Sequence, residues 1–217
     1  SIPPVVCDID REAFWRHAIA VAAVAETLDE DLGRVLNRCD LFAAAMLHDC
    51  GKLVLSGCMP KAYARIRSES DRKRELLHRA EHVALGIDHA WVGRLLAAHW
   101  RLPLPIVEAV GAHHYPPEMI DAAVEHSDLA GIIQLSDLLA RGECLGQASR
   151  AGRDALCERF GLAATSAASA VDRSAERAVA ISRSLDSLLS ESSGSADEFA
   201  PAERDSAADF EGMMARW

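Results

Sequence analysis

The stretch Leu47-His48-Asp49-Cys50-Gly51-Lys52 sets an imidazole beside a carboxylate, directly after the apolar run Leu41–Leu47. The run reads as a buried helix and Gly51 as the residue that ends it. Two groups that are costly to bury are thereby carried inward on a last helical turn. A buried charge needs a partner or a metal, and imidazole nitrogen and carboxylate oxygen both ligate divalent transition metals. A single His-Asp pair is weak, because such pairs arise by chance. The chain adds His17, His89, His113, His114 and Asp137 at inward-facing or helix-end positions. Each has an ordinary reading. A lone histidine on an apolar stripe is more often a hydrogen-bonded core residue than a ligand. Asp137 reads equally as a buried acid with a partner, and His113-His114 as cations at a helix C-terminus. As a set they are harder to dismiss: five helices each deliver a His, an Asp or both. Seven such ligands match a two-metal centre in which one carboxylate bridges, and metal binding would offset their joint desolvation.

The elements that must position these residues are helices. Asp10 caps a helix to about Leu28, with Phe14, His17, Val21, Val24 and Leu28 spaced by three and four, so His17 lies on the apolar stripe. A short helix is predicted from Asp31 to about Asn37, then the Asp40–Asp49 helix. Gly57 and Pro60 break the pattern after Leu53-Val54-Leu55. Residues 61–82 read as a solvated helix pair with Tyr63, Ile66, Leu76 and Leu77 inward. Asp88 caps a helix through Trp100, with His89, Gly93, Leu96 and Trp100 on one face. Pro105 opens the next helix, which ends at His113-His114 before Tyr115-Pro116-Pro117. Residues 127–141, 150–160 and 166–189 read as three more helices, with Asp137 inward on the first. The expected organisation is an irregular lead-in at 1–9, a helical domain at 10–162, a C-terminal helix at 163–189 and a mobile acidic tail at 190–217. Histidines 78, 82, 99 and 126 read as surface residues.

Composition agrees with an all-α bundle. Half of the 217 residues are hydrophobic, only 5% are aromatic, and the abundant alanine favours closely packed helices over a β-sandwich. A net charge of −10 without a basic block argues against a phosphate-neutralising nucleic-acid surface. No apolar run approaches a membrane span and no signal peptide stands at the start. The six cysteines have no CxxC spacing and read as reduced thiols of a cytoplasmic protein. A chain that begins at Ser1 is expected to be a fragment of something longer.

The order of a lone His, then His-Asp, a further His, His-His and a final Asp resembles the HD superfamily of metal-dependent phosphohydrolases. More closely, Phe14-Trp15-Arg16-His17, the Leu47–Leu55 stretch, Gly86-Ile87-Asp88-His89-Ala90-Trp91-Val92-Gly93, Trp100-Arg101-Leu102-Pro103 and His113-His114 resemble the HDOD (HD-related output domain) family of bacterial signalling domains. The likeness covers about residues 10–145, and the helical part that usually precedes the position of Phe14 is missing or vestigial. The resemblance implies an HD-like helical bundle and two divalent transition-metal ions (Fe, Mn, Zn or Ni). His17, His48, Asp49 and Asp137 would hold one ion. Asp49 as bridge, with His89, His113 and His114, would hold the other. Lys52 would set a positive charge on a phosphate oxygen, its ordinary reading being a helix C-terminal cation. Asp49 and Lys52 are the implied catalytic residues, and the implied reaction is metal-assisted phosphoester or nucleotide hydrolysis. The alternative is a non-catalytic sensor or scaffold that binds a nucleotide or a protein partner. Small phosphorylated ligands and signalling proteins or fused domains are the expected partners, with no nucleic acid and no membrane. Tyr115-Pro116-Pro117-Glu118 stands where relatives that cleave cyclic-di-GMP carry Gly-Tyr-Pro and a Glu, and Ala13 stands where a third metal would need a Glu, so neither feature is expected here.

Overall fold

A computed structural model describes residues 9–33, 36–141 and 147–193, the side chains of 147–148 and 188–193 excepted. Among the described residues it is all-α, with eleven helices and no strand. The chain divides into two compact units, residues 1–181 and 182–217. In the second, the described residues are the last turns of the final helix. The rest of the predicted tail, 194–217, lies outside the described residues, as does most of the lead-in.

In the first unit, α1 (Arg11–Asp31) is capped by Asp10, whose side chain accepts from the Ala13 amide at 3.1 Å. It packs against α2 (Arg38–Leu47) and α9 (Ser127–Ala140), while α7 (Leu104–Ala112) packs against α2, α9 and α6 (His89–His99). The core between them is built from Val21, Val24, Leu28, Leu41, Ile132 and Ile133, interleaved with buried alanines 22, 25, 44, 45 and 109. Alanine at the contacts lets helix axes approach closely and leaves short paths for polar side chains to meet. Outside this core, α3 (Cys50–Cys58) packs against α6 and leads through α4 (Pro60–Lys73) to α5 (Leu77–Leu85). The short α8 (Pro117–Ala123) precedes α9, and α10 (Gln147–Arg159) leads to α11 (Ala164–Ser193). The buried Ala167 and Ala170 join the core cluster. Arg173 pairs with Asp31, and Arg177 with Glu26 at 2.9 Å and Glu30 at 2.7 Å.

Several sequence expectations change. The helix expected from Asp31 to Asn37 is absent among the described residues: Asp31 ends α1, and Asn37 caps α2 by accepting from the Cys39 and Asp40 amides. Gly51 does not terminate a helix. The break falls at His48-Asp49, and Gly51 sits inside α3, where a β-carbon would come 1.9 Å from the His89 carbonyl oxygen. Its glycine serves close helix approach, not a left-handed cap. Against the expectation that no apolar run approaches a membrane span, one stretch among the described residues, Arg38–Cys58, is long and apolar enough by length and composition; the break splits it, and 56% of its most apolar part is buried inside the fold. The helix α8 was not predicted.

Candidate metal centre

Five elements deliver the ligand-type residues. His17 projects from α1, His48 and Asp49 from the α2–α3 break, His89 from the first position of α6, His113-His114 from the end of α7, and Asp137 from α9. His48 and His113 solve the same local problem in the same way. Each sits at a helix C-terminus, where backbone carbonyls lack partners, and each donates its Nδ1 proton to the carbonyl three residues back, Ala45 and Val110, both at 2.7 Å. With Nδ1 held by its carbonyl, Nε2 is the ring nitrogen left facing the cluster in each.

Asp49 stands between two groups of donors. Its Oδ2 lies 3.5 Å from His48 Nε2 and 3.9 Å from His17 Nε2. Its Oδ1 lies 3.2 Å from His89 Nε2 and 3.7 Å from His113 Nε2. On the first side, Asp137 Oδ1 is 2.9 Å from His17 Nε2 and 3.7 Å from His48 Nε2. On the second, His114 Nε2 is 2.9 Å from His89 Nε2. The atoms of Asp49, His89, His113 and His114 all lie within 4.8 Å of one another, and so do those of His17, His48 and Asp137. All seven residues singled out in the sequence as ligands are thus brought together, His48, Asp49, His89, His113 and His114 at helix ends and His17 and Asp137 within helices. His17 and His114 are half-buried; the other five are buried.

The electrostatics are those of a dense, mutually paired cluster. Burial pushes the Asp49 carboxyl up, but the Lys52 ammonium and the His48 imidazolium outweigh it and hold the group well below the usual carboxylate range. The same opposition, with Arg141 in the leading role, holds Asp137 well below that range. Burial also works against a charged His48, yet Asp49 and Asp137 overcome it and raise its pKa to about 9. Burial and neighbouring imidazoles lower His113 and His114.

Three ligand-type atoms are buried and make no hydrogen bond: His48 Nε2, His113 Nε2 and Asp49 Oδ1. A buried polar atom without a partner costs roughly 1–3 kcal/mol, and here there is one on each side of Asp49, His48 Nε2 and His113 Nε2, besides its own Oδ1. Metal–ligand bonds of about 2.0–2.2 Å set neighbouring ligand atoms ~3 Å apart, close to the separations present. The donor set therefore fits divalent transition ions, with Asp49 able to serve both sides.

Lys52 Nζ lies 2.5 Å from Asp49 Oδ2. Asp49, Lys52 and His17 open onto a cavity of about 300 Å³ that is also lined by Tyr63, Arg67 and Phe14. Sequence reasoning missed three neighbours of the centre, Arg141, Glu81 and His78. Arg141 donates from Nε to Asp137 Oδ1 at 2.8 Å, an Asp–Arg pair at i, i+4 that the sequence displays. Glu81, 0% exposed, contacts His89 and Tyr63; its signal is its place between Leu77 and Leu85 at spacings of four. His78 is not a surface residue: it stacks on His114 at 4.2 Å between centroids, and burial lowers its pKa to about 4. His126 likewise is part-buried and bonded to Glu108.

Residues 3–116 match the HDOD domain family, and the chain belongs to that family. It is 22% identical over 134 residues to a protein of Treponema pallidum (strain Nichols) that carries no functional name, covering 62% of this chain and 26% of that one. Among solved structures it is similar to a Shewanella amazonensis protein provisionally named a phosphohydrolase (21% identity, TM-score 0.63, 82% of this chain and 64% of that one). It is similar also to an HDOD domain protein of Geobacter sulfurreducens (20%, TM-score 0.54, 77% and 64%), and to the MmoQ response regulator of Methylococcus capsulatus (21%, TM-score 0.55, 76% and 62%). The chain thus spans about a quarter of the curated relative and under two thirds of these structures; at such identities the likeness is one of fold.

Proposed function

We propose that this HDOD domain holds two divalent transition ions and hydrolyses a small phosphoester or nucleotide in a bacterial, cytoplasmic signalling protein. The observation that supports it most is the trio of buried, unpartnered ligand atoms around Asp49. His17, His48 and Asp137 would hold one ion and His89, His113 and His114 the other, with one Asp49 oxygen toward each. When bound, the ions supply Lewis acidity that activates water and offsets charge on phosphate oxygens. Lys52 lies on the cavity wall within reach of Asp49, so its ammonium meets a phosphate oxygen that enters there. His48 and His113 keep their Nε2 atoms forward through their backbone hydrogen bonds, and the buried helix faces behind them exclude water. The test is turnover of bis(p-nitrophenyl) phosphate by Mn²⁺-loaded protein. Metal-dependent hydrolysis that Lys52→Met and Asp49→Ala abolish is expected; a rate no higher than that of Mn²⁺ alone in a metal-loaded protein counts against catalysis.

One observation favours a second reading, a non-catalytic sensor or scaffold. Both carboxylates already carry a fixed cation, Lys52 on Asp49 and Arg141 on Asp137, which compete with metal charge. In that reading a nucleotide or a protein partner shifts the domain without turnover, and a metal-loaded protein binds nucleotide but leaves it intact.

A further inference from the structure

His89 faces a problem that His48 and His113 do not. Those two sit at helix C-termini, where a free carbonyl accepts the Nδ1 proton. His89 is the first residue of α6, and a helix N-terminus offers unpaired N–H groups, not carbonyls. No local acceptor can fix which ring nitrogen carries the proton. An acceptor must come from another element, and Glu81 of α5 supplies it.

Glu81 is 0% exposed in the middle of an otherwise largely solvated helix. A buried carboxylate is retained only when its oxygens are satisfied. Here Oε2 accepts from His89 Nδ1 at 2.6 Å and from the His89 backbone N–H at 2.8 Å. Oε1 accepts from the Tyr63 hydroxyl at 2.6 Å, and Tyr63 is itself 1% exposed. The backbone bond satisfies one orphan donor of α6, beside the Asp88 cap on the Trp91 amide. The ring bond leaves His89 Nε2 facing Asp49 Oδ1 at 3.2 Å. A carboxylate that orients a ligating imidazole also makes it a stronger donor than a neutral carbonyl would.

We propose that Glu81, braced by Tyr63, is a positioning residue of the centre. It fixes the Nδ1–H tautomer of His89 and so sets the affinity of the His89–His113–His114 side for its ion. This rests on the metal-centre reading for its affinity arm, though not for its tautomer arm. Two substitutions separate position from bulk. Glu81→Met keeps the volume and removes the acceptor. Glu81→Gln keeps a carbonyl oxygen that can still accept from Nδ1–H, and its amide can donate to the Tyr63 oxygen.

Two measurements on the full chain decide it. Long-range ¹H–¹⁵N NMR of the metal-free protein at pH 8 reads the His89 tautomer. The Nδ1–H form is expected in the unmodified chain and in Glu81→Gln, and its loss in Glu81→Met. Calorimetric titration with Mn²⁺ reads two binding steps. Glu81→Met should weaken one step about 10–100-fold and leave the other nearly unchanged, with Glu81→Gln restoring most of the loss. An Nε2–H ring in the unmodified chain, or the same tautomer in Glu81→Met, overturns the proposal. So does an equal weakening of both steps by Met and Gln alike, which marks a merely structural carboxylate. If the unmodified chain takes up no Mn²⁺ while the tautomer switches as stated, the metal-centre reading falls and the positioning role of Glu81 stands.

Discussion

Gly51→Ala tests whether the centre depends on the close approach of α3 to α6. At Gly51 an added β-carbon would lie 1.9 Å from the His89 carbonyl oxygen and 2.8 Å from the Gly93 amide nitrogen. Both obstacles are backbone, so no rotamer change relieves them. Ordinary contact begins near 3.4 Å, and the helices must part by roughly 1.5 Å, more than a close-packed interior absorbs. On the other side of Gly93 there is little room as well, since a β-carbon there would lie 2.9 Å from Val110 Cγ1. Overpacking of this kind costs about 1–3 kcal/mol, and more when backbone must move; in a domain this size that lowers Tm by roughly 2–12 °C. The displacement also draws His89 away from Asp49 Oδ1, now 3.2 Å off, so metal affinity on the His89 side should fall with stability. Circular-dichroism melting of the metal-free variant reads the first effect and Mn²⁺ titration the second. A Tm within a degree of the unmodified protein, with unchanged affinity, would refute the claim that Gly51 exists for helix approach.

Two other expectations follow from the remaining chemistry. Cys50 is buried and burial, with Asp49 beside it, pushes its thiol up to about 12, so iodoacetamide at pH 8 should alkylate the exposed Cys39 and Cys58 and spare Cys50; native labelling of Cys50, read by mass spectrometry of peptides, would contradict its placement. Arg177 and Arg173 lower Glu30 and Asp31 below their ordinary values of 4.5 and 3.8. A carboxyl with a depressed folded pKa stabilises above its unfolded pKa and loses that contribution as pH falls through the folded value. The stability lost in an Arg173→Ala, Arg177→Ala chain should therefore be measurable by urea unfolding at pH 7 and shrink as pH falls below the ordinary values of these carboxyls, 4.5 and 3.8; a loss that persists undiminished in acid would mean that it comes from packing and not from these pairs.

Much of the site was legible because it rests on local rules. Asp10 and Asp88 announce helix starts, the spacing around His17 and Asp137 gives their inward faces, and Tyr115-Pro116-Pro117 fixes where α7 must stop. What stayed hidden depends on contacts distant in sequence. Gly51 looked like a cap because a glycine after an apolar run usually is one; that it faces a backbone from α6 is visible only once the helices are packed. The segment after Asp31 has helical composition but ends where Asn37 recaps the chain. Glu81 and His78 sit in a charged stretch whose average polarity outweighs the single buried face, and only the arrival of His89 and His114 from other helices explains their burial. The Asp137–Arg141 pair was displayed at i, i+4, yet such pairs are usually solvated.

The most direct measurement is metal content. Protein stripped with chelator, reloaded with Mn²⁺ or Fe²⁺ and desalted should retain close to two ions per chain by elemental analysis, and His48→Ala or Asp49→Ala should lose at least one, since Asp49 oxygens face both donor groups. An unmodified chain that retains no ion, or an Asp49→Ala chain that retains as many as the unmodified one, would contradict a metal centre built around Asp49.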